Sequence, residues 1–193
     1  MRAVIQRVTS ASVTVSGEKV SEIGRGILAL VGVAEGDTER EAEQLANKIT
    51  SLRLWDESVG APSSSSSVGE TEGAEGEAKS LGPRPWRRNV KEIDGQVLCE
   101  RRLELSQVDE LLTPLLRLSF PQLAKVQKGS KPDFHQAAKG EAAKALYEKV
   151  LANVRKSLPG SGKVQDGVFG AMMDVALVND GPVTILLDTA DKK

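Results

Sequence analysis

Apolar and polar residues alternate near both ends of the chain and recur at helical spacing in two stretches between them. Arg2 to Val8 and Ala11 to Val15 each show the period of two that marks a short β-strand. Ser16-Gly17-Glu18-Lys19, between the second run and Val20, has the residues of a hairpin turn. Residues 27–33, from Ile27 to Val33, are continuously apolar, the pattern of a central strand covered on both faces. Asp37 to Glu41 then supplies an N-cap and first-turn carboxylates. Ala42, Leu45, Ala46, Ile49 and Leu52 follow at helical spacing, which predicts a helix over 38–53 with one face on the sheet. A second helix is predicted over 141–158, with Ala142, Ala145, Leu146, Val150, Leu151 and Val154 on one face and Pro159-Gly160-Ser161-Gly162 as its stop. Asp94-Gly95 reads as a turn entering a strand at Gln96-Val97-Leu98, and Val164 to Phe169 leads into the closing strands.

Those closing strands organise the rest. Val175 to Val178 and Val183 to Leu187 flank Asn179-Asp180-Gly181-Pro182, which reads as strand, turn, strand. Gly181 has no side chain and Pro182 no backbone N–H. The stretch is therefore either an ordinary hairpin turn or a turn that presents bare carbonyl groups to whatever lies in front of it, and its Gly-Pro bond is open to either isomer.

Two segments break the pattern. Residues 57–82 contain the run Ser63 to Ser67 and are otherwise dominated by Gly, Glu and Ala, a composition that buries too little apolar surface to offset chain entropy. Residues 99–117 are charged and leucine-rich and predict a short helix ending near Pro114. Both read as insertions, 57–82 as a dispensable surface loop, in a single domain spanning 1–193. That domain is predicted to be α+β, an antiparallel, barrel-like sheet with two packed helices.

Composition narrows the setting. The single cysteine, Cys99, excludes an intrachain disulfide framework and fits a reducing, cytoplasmic environment. No apolar leader and no run long enough to span a membrane are present. The net charge of -1 argues against a nucleic-acid partner until its distribution is considered. Residues 57–82 hold five acids and one base, so the remainder is mildly basic, with clusters at Arg84, Arg87, Arg88 and Lys91 and at Lys125, Lys128 and Lys131. Such clusters suit either a solvated face or a phosphate-contacting surface.

Familiar catalytic signatures are missing. With one His and one Cys, and no GxSxG, HExxH, Walker A or GxGxxG motif, neither a zinc site nor a Cys-His pair has enough material, and no metal or cofactor is expected. His135 serves either as a general base or as a structural residue, and Ser119 and Thr184 lack a recognisable activating base. Catalysis would then rest on backbone donors.

Three blocks together carry a resemblance: Met1 to Val15, Lys128-Gly-Ser-Lys-Pro-Asp-Phe-His135, and Phe169-Gly-Ala-Met-Met173 with Asn179-Asp-Gly-Pro-Val-Thr184. The chain resembles the D-aminoacyl-tRNA deacylases, once called D-tyrosyl-tRNA deacylases, over most of its length outside 57–82 and 99–117. The resemblance implies a homodimer of barrel-like subunits that hydrolyses the ester between a D-amino acid and the terminal adenosine of tRNA, with glycyl-tRNA passing as well. Gly181-Pro182 would be the family's Gly-cisPro selector, reaching into the partner's site as a main-chain wall that excludes L side chains. Arg7 would fix its orientation, and Met173, Phe134 and His135 would complete the substrate-binding set. The family's Ser-Gln-Phe-Thr-Leu motif, which supplies backbone N–H groups to the reacting ester, corresponds here to Ser119-Phe120-Pro121-Gln122-Leu123. Ser119, Phe120, Gln122 and Leu123 are accordingly the expected catalytic segment. Gln122 stands where the family has Thr, and Pro121 removes an N–H. The alternative is therefore a catalytically silent homologue that binds tRNA or another partner.

Overall fold

The computed structural model describes residues 1–59, 84–100, 138, 140–160, 163–168 and 171–191. Most of both expected insertions, 57–82 and 99–117, lies outside the described residues, as does the short helix expected near Pro114.

Strand β1 (Arg2–Val15) is the axis of the sheet. On one side it pairs antiparallel with β3 (Gly26–Gly32) along its first half and with β2 (Glu18–Ile23) along its second. On the other side β8 (Met173–Asp188) pairs with it over its whole length. The sequence pattern predicts two strands here because the apolar phase changes between Val8 and Ala11. The chain in fact forms one strand whose register shifts around Thr9, between the pairs Val8 with Asn179 and Ser10 with Val178. An extra residue flips the side-chain alternation without ending the ladder. Ala3 and Ile5 accordingly face one core cluster, and Val8, Ala11 and Val13 the other.

The sheet is mixed, which corrects the all-antiparallel expectation. β6 (Gln96–Glu100) runs parallel to β3, and β7 (Val164–Asp166) runs parallel to β6. Each of these parallel strands is reached through a crossover containing a helix, as parallel pairing requires. The order is β2-β1-β3-β6-β7 with β8 on β1, and β2 also approaches β6 and β7, so the sheet is nearly closed. A separate two-stranded ladder joins β4 (Arg53–Trp55) to β5 (Arg88–Asn89).

Helix α1 (Glu39–Ser51) starts where the sequence indicates, with Thr38 as the N-cap. The Thr38 Oγ1 accepts from Arg40 N at 3.3 Å, and Glu41 Oε2 accepts from Thr38 N at 2.9 Å, closing a capping box. The Thr38 hydroxyl also donates to Glu41 Oε2, and that bond, followed by the one from Thr38 N, holds the Glu41 carboxyl below its usual range. Helix α2 (Gly140–Ser157) buries Ala143, Tyr147, Val150, Leu151 and Val154. Ala142 and Ala145 are exposed and Leu146 is half-buried, so the first turns present a face rotated from the predicted one. Tyr147 explains the rotation: its ring fills the core and its hydroxyl donates to the Cys99 carbonyl at 2.8 Å. Both helices pack on the face carrying Ala3, Ile5, Ile27, Ala29, Val97 and Cys99. No helix among the described residues is long and apolar enough to cross a membrane.

Candidate functional site

Val175 to Leu187 was expected to turn back on itself at Asn179 to Pro182, and it does not. Both halves belong to β8 and continue in one direction along β1, with Asn179 opposite Val8 and Thr184 opposite Gln6. Arg7 alone faces the four residues between, so Asp180, Gly181, Pro182 and Val183 leave the ladder as a wide bulge. A hairpin needs the second run to pair with the first; here β1 is long enough to template both. No cis peptide bond occurs among the described residues, so the Gly181-Pro182 bond is trans and not the cis bond that the resemblance implies. The change of direction is instead accommodated at Gly181, whose φ of +117° lies in the region that favours glycine.

Two side chains hold the bulge. The Arg7 Nε donates to the Asp180 carbonyl at 3.0 Å and lies 3.3 Å from its carboxylate, while Nη1 donates to the Leu54 carbonyl. A Cβ placed on Gly181 would stand 2.5 Å from Arg7 Nη2, so the guanidinium occupies the space that only glycine leaves free. Asn179 closes the neck: its Oδ1 accepts from Val183 N at 2.9 Å, and its Nδ2 donates to the Val183 carbonyl at 3.4 Å and Thr184 Oγ1 at 3.3 Å. Beyond Arg7 lies Trp86, with the guanidinium carbon 5.8 Å from its ring centroid. Gly181 and Pro182 themselves are exposed.

Met173 lies elsewhere. It pairs with Val15 at the opposite end of β8 and packs against the second core cluster. Eight residues of strand put it roughly 25 Å from Gly181 at ~3.3 Å per residue. Within one subunit the structure therefore brings Arg7, Gly181 and Pro182 together and leaves Met173 apart. Ser119, Phe120, Gln122, Leu123, Phe134 and His135 lie outside the described residues.

A group absent from the sequence reading sits beside Met173. Glu100, the last residue of β6, is 2% exposed, and among the described residues neither of its carboxylate oxygens has a hydrogen-bond partner. A Cβ on Gly167 would fall 2.6 Å from both Glu100 Oε2 and Met173 Sδ, so the three residues converge. Burial, and then the charge of Asp166, push the Glu100 carboxyl up to about 7. Asp166 is itself paired with Arg155 at 2.9 Å. Burial, followed by Asp166 and Glu100, pushes the Cys99 thiol up to about 12, which keeps it protonated and unsuited to nucleophilic attack. Among the described residues no group of three His, Cys, Asp or Glu side chains is arranged to hold a metal ion. The one signal for Glu100 in the sequence is a carboxylate ending an apolar strand. Trp86 is flagged only by its position inside the basic cluster that begins at Arg84.

The chain is similar to known proteins over its length. The family model described as D-Tyr-tRNA(Tyr) deacylase matches residues 4–75 and 100–188. The D-aminoacyl-tRNA deacylase of Yarrowia lipolytica is 45% identical over 193 residues, covering 100% of both chains. That of Schizosaccharomyces pombe is 39% identical over 191 residues, 99% of this chain and 100% of the relative. Among solved structures, the c-Myc DNA Unwinding Element Binding Protein superposes with a TM-score of 0.73 at 34% identity, covering 99% of this chain and 100% of its own. A probable eukaryotic D-amino acid tRNA deacylase shares the fold with a TM-score of 0.64 at 14% identity, covering 96% of this chain and 97% of its own. The chain belongs to the D-Tyr-tRNA(Tyr) deacylase family.

Proposed function

We propose that this protein is a hydrolase that cleaves the ester of D-aminoacyl-tRNA, releasing the D-amino acid and tRNA. Full-length identity of 45% to a relative carrying that name is the observation that carries the reading. The Arg7-braced bulge supports a selector role for Gly181-Pro182: Gly181 presents exposed main chain, and Arg7 holds that main chain in place. Rejection would be steric, so glycyl-tRNA would pass with the D substrates.

In the active form we infer a homodimer. β8 pairs only with β1 among the described residues, carries no Lys or Arg, and exposes Val178 and Leu186 at 57% and 63%. A long apolar edge of this kind invites pairing with a second copy. Assembly would also let the bulge of one subunit meet the Met173 end of the other, which a single chain holds apart. Ser119, Phe120, Gln122 and Leu123 would supply backbone donors to the developing oxyanion, and Phe134 and His135 would line the substrate pocket. A cytoplasmic location follows from an aminoacyl-tRNA substrate. No cofactor is needed for this chemistry.

Single-turnover release of amino acid from matched D-tyrosyl-, L-tyrosyl- and glycyl-tRNA tests the reading. Rapid loss of the D and glycyl esters with the L ester intact is the expected result. Retained tRNA binding with no release from any ester would support the second reading, a silent binder, for which Gln122 at the family's Thr position is the motivating observation.

A further inference from the structure

The ring of Trp86 is 51% exposed, although the chain has a core in which the other tryptophan, Trp55, is 2% exposed. Its backbone sits at φ +57°, a left-handed conformation that L residues with bulky side chains rarely adopt. The neighbouring bonds hold it there: Arg87 N donates to the Trp55 carbonyl at 2.8 Å, and Glu57 N donates to the Arg84 carbonyl at 3.1 Å. The loop is thus anchored on both sides of an indole that packing does not need.

The stretch of chain that carries it is basic. Residues 84–91 contain four bases and no acid, and Arg84, Arg87 and Lys91 are exposed. None of these three forms an ion pair among the described residues. Arg7 lies over the indole at 5.8 Å and at the same time binds Asp180 of the bulge, so the ring is tied to the selector by a single side chain. An exposed aromatic ring in a stretch of chain with three exposed cations offers stacking to a nucleobase and charge to its phosphates; an apolar protein surface would leave those cations desolvated.

We propose that Trp86, with Arg84, Arg87 and Lys91, forms a stacking platform for an unpaired nucleobase near the 3′ end of the tRNA substrate. Stacking there positions the aminoacyl ester against the bulge. Trp86 is a positioning residue, and the inference rests on the deacylase reading for the identity of the nucleic acid.

The test compares wild type, Trp86→Ala and Trp86→Phe. Each is titrated with uncharged tRNA and with the same tRNA shortened by its unpaired 3′-terminal nucleotides, and each is assayed for hydrolysis of D-tyrosyl-tRNA. Wild type should bind the full-length tRNA about tenfold more tightly than the shortened one, equivalent to about 1.4 kcal/mol. Trp86→Ala should lose that preference and raise KM by a similar factor with its effect on kcat much smaller, and Trp86→Phe should retain most of it. A Trp86→Ala protein with the wild-type preference overturns the proposal. So does an unfolded Trp86→Ala protein accompanied by a Trp86→Phe protein that has lost the preference despite retaining a ring. Wild type that binds tRNA without hydrolysing the D ester overturns the enzyme reading alone, since the two-tRNA comparison still decides the role of Trp86. No tRNA binding by wild type overturns both.

Discussion

Arg7 and Glu100 both carry charge in the interior of the same sheet, and their surroundings are opposite. The guanidinium of Arg7 reaches a carbonyl on Leu54, a carbonyl and a carboxylate on Asp180, and the face of Trp86. Among the described residues the carboxylate of Glu100 reaches nothing that can donate to it, and the charge that acts on it, Asp166, has its own sign. Arg7 fixes a backbone excursion that projects from the sheet. Glu100 lowers the cost of its own burial only by taking up a proton. The contrast teaches that a buried charge organises its surroundings when its hydrogen-bonding capacity is filled, and otherwise becomes a pH-dependent liability.

The sharpest way to break the comparison is to neutralise Glu100. Its folded-state pKa of about 7 lies above the ordinary value of 4.5, so the folded protein holds a proton that the unfolded chain releases. Stability contributed at this site is fully present below pH 4.5, falls as pH rises to 7, and is flat above that. Glu100→Gln, which mimics the protonated group, should match wild type near pH 4.5 and exceed it by on the order of 3 kcal/mol at pH 8. Urea melts at the two pH values decide this; equal stabilities at pH 8 would mean that Glu100 acquires a partner in solution.

Gly181→Ala should give the next largest effect, in selectivity. The added methyl meets Arg7 Nη2 at 2.5 Å in a backbone conformation that alanine avoids, so either the guanidinium that braces the bulge or the bulge itself must shift. The preference for D- over L-tyrosyl-tRNA is expected to fall about 100-fold, equivalent to ~2.7 kcal/mol. Unchanged single-turnover rates for both esters would remove Gly181 from the selector.

Arg7→Lys keeps the charge and discards the fork. One ammonium cannot serve Leu54, Asp180 and the Trp86 face at once, and a loss of about 2 kcal/mol is expected. Faster amide exchange should be confined to 180–183 and the Trp86 loop. Exchange that spreads instead along all of β8 would show that Arg7 supports the whole strand and not its bulge.

Thr38→Ala sharpens the contrast from outside both regions. Removing this N-cap should cost about 1 kcal/mol in thermal or urea denaturation and leave D/L selectivity at its wild-type value. A change in selectivity would mean that the site responds to global stability, which would undercut the local argument made for Arg7.

Much of this architecture was legible from periodicity. The helix starting at Thr38, the central strand near Ile27 and the strand entered from Asp94-Gly95 all follow from side-chain spacing, because apolar residues must share a face before any partner is chosen. The three blocks that resemble the deacylases likewise survive any uncertainty of topology. Spacing also predicted that Val8 and Ala11 could not share one regular strand, and it was right about the phase. Whether the chain ends there or absorbs a residue at Thr9 depends on β8, some 170 residues away in sequence, which pairs across the interruption.

The same limit applies at the site. Sequence alone determined that the ladder is interrupted at Gly181-Pro182, since glycine and proline break regular strand pairing. Only the tertiary structure decided that the chain resumes its direction, because β1 offers a continuous template that a local reading cannot see. It also decided that β6 runs parallel to β3, that Trp86 lies over Arg7, and that Glu100 ends β6 with no donor in reach among the described residues. A residue's period states which face it takes; what waits on that face is set by segments remote in the chain.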